Sequence, residues 1–262
     1  MPMLLNSLCT AAAFPKRLSP PHGDETGMRV NGKLLWLHNL STSWYTYVFR
    51  HERRGKIATE SASSILPAYS GILVHDCYAS YFKLPDCQHA PCSAHLLREL
   101  QGLIERDTPW AAQMHQLLLD LYKKVQSGYR LTKRHKLWRQ YDQICTTADE
   151  YEGPPIKNPR GKPKQTKGRN LFDRLVKYKE AVLLFATMPD VPFTNNQAER
   201  DIRPAMIKQK NAGCFRTEKG SDRFCRIYSF LSMMRKLQRN VFNELFDLFE
   251  GQHFILSTQL PK

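Results

Sequence analysis

The chain contains no run of about 18 or more apolar residues, which excludes a membrane-spanning helix. It is also short of acid: 24 Asp and Glu stand against 39 Lys and Arg in 262 residues, a formal net charge of +15. Such an imbalance opposes the compact state by self-repulsion, so it points to a polyanionic partner: nucleic acid first, an anionic membrane surface second. A basic enzyme with scattered surface lysines is the plainer alternative. Cysteine is too irregular for a disulfide framework. Seven residues (Cys9, Cys77, Cys87, Cys92, Cys145, Cys214, Cys225) are an odd number, unevenly spaced, and fit a reducing cytoplasm. The start, MPMLLNSLCTAAAF, lacks the basic region of a signal peptide and is read as a nondescript leader. No internal repeat occurs. What is present is a 42% apolar content, enough for a sizeable core, in a length that suits one large domain or two small ones.

The first third has the character of a sheet. Asn31-Gly32 lies between two β-prone runs and supplies the two positive-φ residues of a type I′ hairpin. A third strand is expected over 44–50, a basic turn at HERRGK, a short helix within 57–69, and a buried strand at GILVHD, 71–76, with Asp76 at its tip. From residue 93 the period turns helical. Successive stripes run through Leu96, Leu100 and Leu103, then Trp110, Met114, Leu117 and Leu121, then Leu137, Tyr141 and Ile144. Residues 151–169 interrupt this with four prolines, three glycines and six Lys/Arg against one acid, an exposed loop. Helical periodicity resumes at Leu171 and continues past TNNQAER into an apolar segment over 224–249.

Three acids stand out by position: Asp24 on the first strand of the hairpin, Asp76 at a strand tip, and Glu199 where Thr194, Asn195 or Asn196 can cap a helix. Two strand-borne aspartates and a helix-borne glutamate suit hard divalent cations. A pair of such ions, about 3.5–4 Å apart, serves phosphoryl transfer. Cys92 and His95 form a Cys-x-x-His pair, and Cys87 and His89 lie close by in sequence. Zinc is disfavoured because these residues are crowded more tightly than finger spacing allows. The pair is read instead as a structural strand-to-helix junction. Cations concentrate in two places: 16 Lys/Arg against 6 acids over 121–180, and 11 against 3 over 200–240. In the second group Arg200, Arg203, Lys208, Lys210, Arg216 and Lys219 follow Glu199 and suit phosphate contacts, which position a strand without reading its sequence.

The stretches DETGMRV, GILVHDCYASY, CSAHLLREL, TNNQAERDIRP and MIKQKNAGCFRT together resemble the catalytic part of bacterial DDE transposases of the insertion sequence 66 family, from about residue 22 to about 250. The resemblance implies an α/β fold with an RNase H-like core, an acidic triad of Asp24, Asp76 and Glu199, and two Mg²⁺ (or Mn²⁺) ions. The implied activity is phosphodiester hydrolysis followed by strand transfer. Cys92, His95, Asn195 and Asn196 are expected as structural residues near the site. The 122 residues between Asp76 and Glu199 imply a helical insertion. The expected organisation is a leader over 1–21, core over 22–92, insertion over 93–190, core again over 191–250, and a tail over 251–262. The implied partners are DNA (element ends and target), a second copy of the chain and accessory proteins of the same element. The implied setting is cytoplasmic and nucleoid-associated, with no membrane.

Relatives carry a longer N-terminal region that binds element ends, whereas 23 residues precede Asp24 here, so a truncated catalytic part is expected. Leu18–Gly23, with two prolines and a glycine, is a poor strand, and the first strand is expected to be weak. Two alternatives stay open: an inactive remnant that binds DNA non-specifically, and an RNase H-like nuclease or resolvase that cuts without joining.

Overall fold

The computed structural model describes residues 19–133, 135–155 and 165–252. The leader lies almost wholly outside these, as do the middle of the basic loop (156–164) and most of the tail. The chain divides into two compact units: one runs to His89 and resumes at Asn195, and the other is Ala90–Thr194.

A mixed sheet carries strands β1 (His22–Val30), β2 (Lys33–Ser41), β3 (Thr46–His51), β4 (Ile72–His75) and β5 (Gln88–Pro91), in the order β3-β2-β1-β4-β5; the first four belong to the first unit, and β5 spans the boundary. The expected hairpin is present. Asn31 and Gly32 take φ of 48° and 77°, and Val30 pairs with Lys33 across them. The first strand is not weak, and the reason is non-local. Nine antiparallel pairs, from His22↔Ser41 to Val30↔Lys33, impose its register, and the prolines stop just short of it. Pro21 has no N–H to give, but its carbonyl accepts from Val74 N at 2.9 Å and starts the parallel pairing with β4.

Between β3 and β4 the helical expectation is met by a single turn, α1 (Lys56–Thr59), and a 3₁₀ turn at Leu66–Ala68. Strand β5 adds to the expected order, and the sequence hides it, because Gln88–Pro91 has neither alternation nor β-branched residues.

Alternation along β1 and β2 gives the sheet two faces. One face sets Met28, Val30, Leu35 and Leu37 against Ile202 and Ala205 of α8 (Asn196–Ala212) and Cys225 of α9 (Glu218–Lys236). A second cluster joins Leu40, Tyr45, Leu73, Tyr81 and Leu84 to Phe230, Met233 and Met234 of α9, with α10 (Val241–Phe249) adding Val241, Leu245 and Leu248. Of the apolar segment read over 224–249, Ile227 at 52% exposure and Phe242, Phe246 and Phe249 of α10 depart from the core.

The second unit is helical: α2 (Ser93–Ile104), α3 (Pro109–Gln126), α4 (Lys136–Glu152), α5 (Lys167–Lys177), α6 (Lys179–Val182) and α7 (Leu184–Thr187). The residues of the three sequence stripes are buried: Leu96 and Leu100, Trp110 and Leu117, Tyr141 and Ile144. The ends of the unit meet, Ser93 N–H donating to Phe193 O at 3.0 Å. This is how a long segment can leave and rejoin a core without lengthening its connections.

Glu152 ties three helices of this unit. Its Oε1 accepts from the buried Trp110 indole at 3.1 Å, and its Oε2 accepts from Thr166 Oγ1 at 2.7 Å, at the N-cap of α5. Glu152→Ala strands a buried indole N–H and is expected to cost about 2–4 kcal/mol, while Glu152→Gln, which keeps an acceptor, costs less. Chemical denaturation of the three proteins checks the order.

Candidate functional site

The pairing of β1 with β4 sets the two aspartates side by side. The parallel pairs are His22↔Val74 and Gly23↔His75, and the next residues along the strands are Asp24 and Asp76. Residues in parallel register point to one face, here the face on which Met28 and Val30 meet α8. Adjacent Glu25 points to the other face, where its Oε2 accepts from Tyr81 OH at 2.5 Å and its Oε1 from Arg54 Nε at 2.8 Å. Strand alternation therefore separates two consecutive acids, and only Asp24 shares a face with α8.

Glu199 lies in the first turn of α8. Asn195 holds the N-cap position, but its side chain does not cap the helix. It turns to β1, where Nδ2 donates to Gly23 O at 2.8 Å and Oδ1 accepts from His22 Nδ1 at 3.0 Å. That assignment fixes the proton of His22 on Nδ1. Burial holds this ring neutral by lowering its pKa to about 4. Asn196 is exposed at the start of the helix. Asn39 of β2 adds a second anchor, its Nδ2 donating to Ala198 O at 3.1 Å. Sequence reasoning missed Asn39, yet a polar residue on the buried face of LLWLHNLS asks for a partner.

The three acids share one electrostatic environment. Burial raises the pKa of Asp24 from 3.8 to about 7, the N–H of Glu25 opposes the rise at 2.9 Å, and the charges of Glu25, Asp76 and Glu199 add to it. Asp76 is held by the N–H of Tyr78, which donates to Oδ1 at 3.0 Å. Neither Asp24 nor Asp76 forms an ion pair among the described residues.

On the other face His75 is fully buried beside His89, Nε2 to Nδ1 at 3.2 Å, and stacks on Tyr81. Burial pushes its pKa down to about 3. His89 also contacts Leu84 O, and the Cys87 thiol donates to Tyr69 O at 3.5 Å. In the helical unit Cys92 is fully buried at the N-cap position of α2, with His95 half-buried in its first turn.

The chain matches the family model described as Transposase IS66 family over residues 18–223. It belongs to the IS66 transposase family. No curated protein matches it. As a transposase it has DNA as its substrate, and among the described residues no helix is long and apolar enough to cross a membrane.

The cations of this transposase fall into two classes. In the helical unit many are internally paired: Arg169 with Asp149 and Asp173, Arg174 with Glu99, Lys179 with Asp142, Lys133 with Glu180. On α8, the connection after it and the start of α9, Arg200, Arg203, Lys208, Lys210, Arg216 and Lys219 are all exposed, and among the described residues none is in an ion pair. Arg223 and Arg226, which sequence reasoning did not single out, are exposed on α9 as well. The acids interspersed with them are occupied elsewhere, Glu218 and Asp222 by Arg50 and Asp201 by Lys236.

The raised pKa of Asp24 has a testable sign. Its carboxyl takes up a proton more readily in the folded state than in the unfolded one, so ionisation opposes folding as pH climbs from about 4 to about 7. Metal-free Asp24→Asn is expected to gain stability over the parent across that window by a few kcal/mol, at about 1.4 kcal/mol per pKa unit, and to level off above it. His22 and His75 titrate in both proteins and cancel in the difference, which urea denaturation at several pH values measures.

Proposed function

We propose that this chain is the catalytic core of a DNA transposase with an RNase H-like fold. In this reading Asp24, Asp76 and Glu199 hold two Mg²⁺ ions for phosphodiester hydrolysis and strand transfer. The observation that carries it is the parallel register of β1 and β4, which sets Asp24 beside Asp76 on the face that α8 covers, with the charge of Glu199 from the first turn of α8 acting on the half-buried Asp24 carboxyl. Such a cluster fits hard divalent cations, because carboxylates of like charge brought together either take up a proton or are stabilised by a cation among them. The family supports divalent metal dependence in general. When bound, the ions would activate the attacking oxygen and stabilise the leaving one.

The protein's own contributions are positional. The Tyr78 N–H orients Asp76, the Asn195 and Asn39 amides fix the turn that bears Glu199, and burial keeps Asp24 poorly solvated and ready to exchange its proton for a metal. The exposed cations of α8 and α9 hold DNA phosphates on either side of the bond to be cut. Water opens the bond at an element end, and the freed 3′-OH then attacks target DNA. Joining two ends calls for two copies of the chain. The helical unit is an insertion in this core.

Labelled element-end DNA, target plasmid and Mg²⁺ test the reading in one incubation. Cutting and joining are expected, and Glu199→Gln is expected to abolish both while still binding DNA. Full cutting by that variant sinks the triad. Binding without any cutting by the parent identifies an inactive remnant, and cutting without joining identifies a nuclease.

Reversing Arg203 and Lys210 to Glu is expected to weaken binding alike on all sequences. It should also lower the salt slope of log K by about 0.9 for each phosphate that is no longer neutralised. A salt titration of filter binding measures this.

A further inference from the structure

The basic turn between β3 and α1, residues 52–55, looks like a solvated charge run, but two of its residues contact the loop that follows the site's second aspartate. Arg54 reaches back to β1, its Nε 2.8 Å and its Nη2 2.7 Å from Oε1 of Glu25, whose side chain is only 2% exposed. Its guanidinium lies 4.0 Å from the ring centroid of Tyr78 and 4.9 Å from that of Trp36. Tyr78 is the residue whose N–H holds Asp76 Oδ1.

Gly55 makes a second, independent contact with the same loop. At φ 83° it brings the backbone so close that a Cβ would lie 2.7 Å from Ser80 Oγ and 3.0 Å from Tyr78 OH. The loop that follows Asp76 is therefore gripped from one side by a stacked guanidinium and a glycine.

We propose that the Arg54–Gly55 turn is a brace that aims the Asp76 carboxylate, with Arg54 a positioning residue for divalent-metal binding. The inference rests on the assignment of Asp76 as a metal ligand. Its physical content is the chain of contacts Glu25–Arg54–Tyr78–Asp76. The buried Glu25 carboxylate orients the guanidinium, the guanidinium fixes the Tyr78 ring, and the backbone of Tyr78 fixes Asp76. A planar fork is needed for both links, since it takes up one carboxylate edge-on while its flat face stacks on a ring. Lysine keeps the charge, and so the field at Asp76, but provides neither the fork nor the stack.

The test uses the full chain with Arg54→Lys, Tyr78→Ala, Tyr78→Phe and Gly55→Ala. Mn²⁺ binding is followed by electron paramagnetic resonance, cleavage against Mg²⁺ concentration, and thermal melting. Residues that orient metal ligands from behind typically change affinity by 10–100-fold. Arg54→Lys and Tyr78→Ala are expected to weaken Mn²⁺ binding by about tenfold and to shift the Mg²⁺ dependence equally, with the maximal rate recovered at saturating metal. Tyr78→Phe, which keeps the ring, restores the affinity that Tyr78→Ala loses.

A purely structural ion pair would lower the melting temperature and leave the metal dependence of the folded fraction unchanged. That outcome overturns the proposal, as does a Tyr78→Phe variant no better than Tyr78→Ala. If Arg54→Lys fails to fold, the Tyr78 pair and Gly55→Ala decide the question by the same criteria. A parent chain that binds no Mn²⁺ and cuts nothing overturns the triad itself, and the brace with it.

Discussion

Carboxylates of like charge do not gather in a partly buried space unless the chain forces them to, and most of the first unit is organised around that constraint. Asp24 is driven to a pKa of about 7 by burial and by three neighbouring acids. The repulsion is borne by anchors that lie beside the acids. Nine pairs with β2 hold β1 in register. Two pairs with β4 bring the tip of that strand alongside, and the Tyr78 N–H closes on Asp76 beyond it. Asn195 and Asn39 bind the opening turn of α8 to β1 and β2. The strand pairs and the Asn195 and Asn39 anchors are made by backbone and amide groups, so the acids are held in place by contacts that do not use their own carboxylate oxygens.

Much of this arrangement is legible in the sequence, and what escapes it does so for definite physical reasons. Asp76 can be placed because an apolar run of strand length ends on it, and the hairpin because Asn-Gly fits few other turns. The first strand is underrated because local propensity there is poor, while its stability comes from pairing with β2. Asn195 is the residue type that caps helices, yet its amide is spent on Gly23 and His22, a choice decided by a strand 172 residues away. Arg54 looks like one more surface cation. Its role depends on Glu25, which alternation turns away from Asp24, and no sequence pattern announces that pairing.

Charge shows the same limit. The two basic stretches look alike in composition but differ in structure. In the helical unit Arg174 meets Glu99 and Lys179 meets Asp142, pairs between helices far apart in sequence that leave much of the local excess internal. Along α8 and α9 the reverse holds: Arg50 and Lys236 occupy the nearby acids, and the exposed cations are in no ion pair among the described residues. The formal charge of +15 is therefore a poor guide to where unpaired cations lie, and the ion pairs are a better one.

Lys236 shows why the turn bearing Glu199 can be rigid while the long cationic side chains on the outer face of the same helix stay exposed. Its ammonium is largely buried and uses three donors, to Asp201 Oδ2 at 2.6 Å and to the carbonyls of Thr42 and Tyr45 at 2.8 and 3.0 Å. Desolvation makes such a pair a weak source of stability, but stranding one partner costs about 3–5 kcal/mol, so its effect is to fix geometry. Asp201 follows Glu199 by two residues, about 200° around the helix, and so pins the side opposite the one from which Glu199 projects. With Asn195 and Ala198 this makes three anchors within the seven residues 195–201. A slip of α8 by one residue would rotate it by about 100° and break all three at once. Beyond that turn Arg203, Lys208 and Lys210 stand exposed with no ion pair among the described residues, and their side chains can follow a phosphate backbone without disturbing the carboxylate.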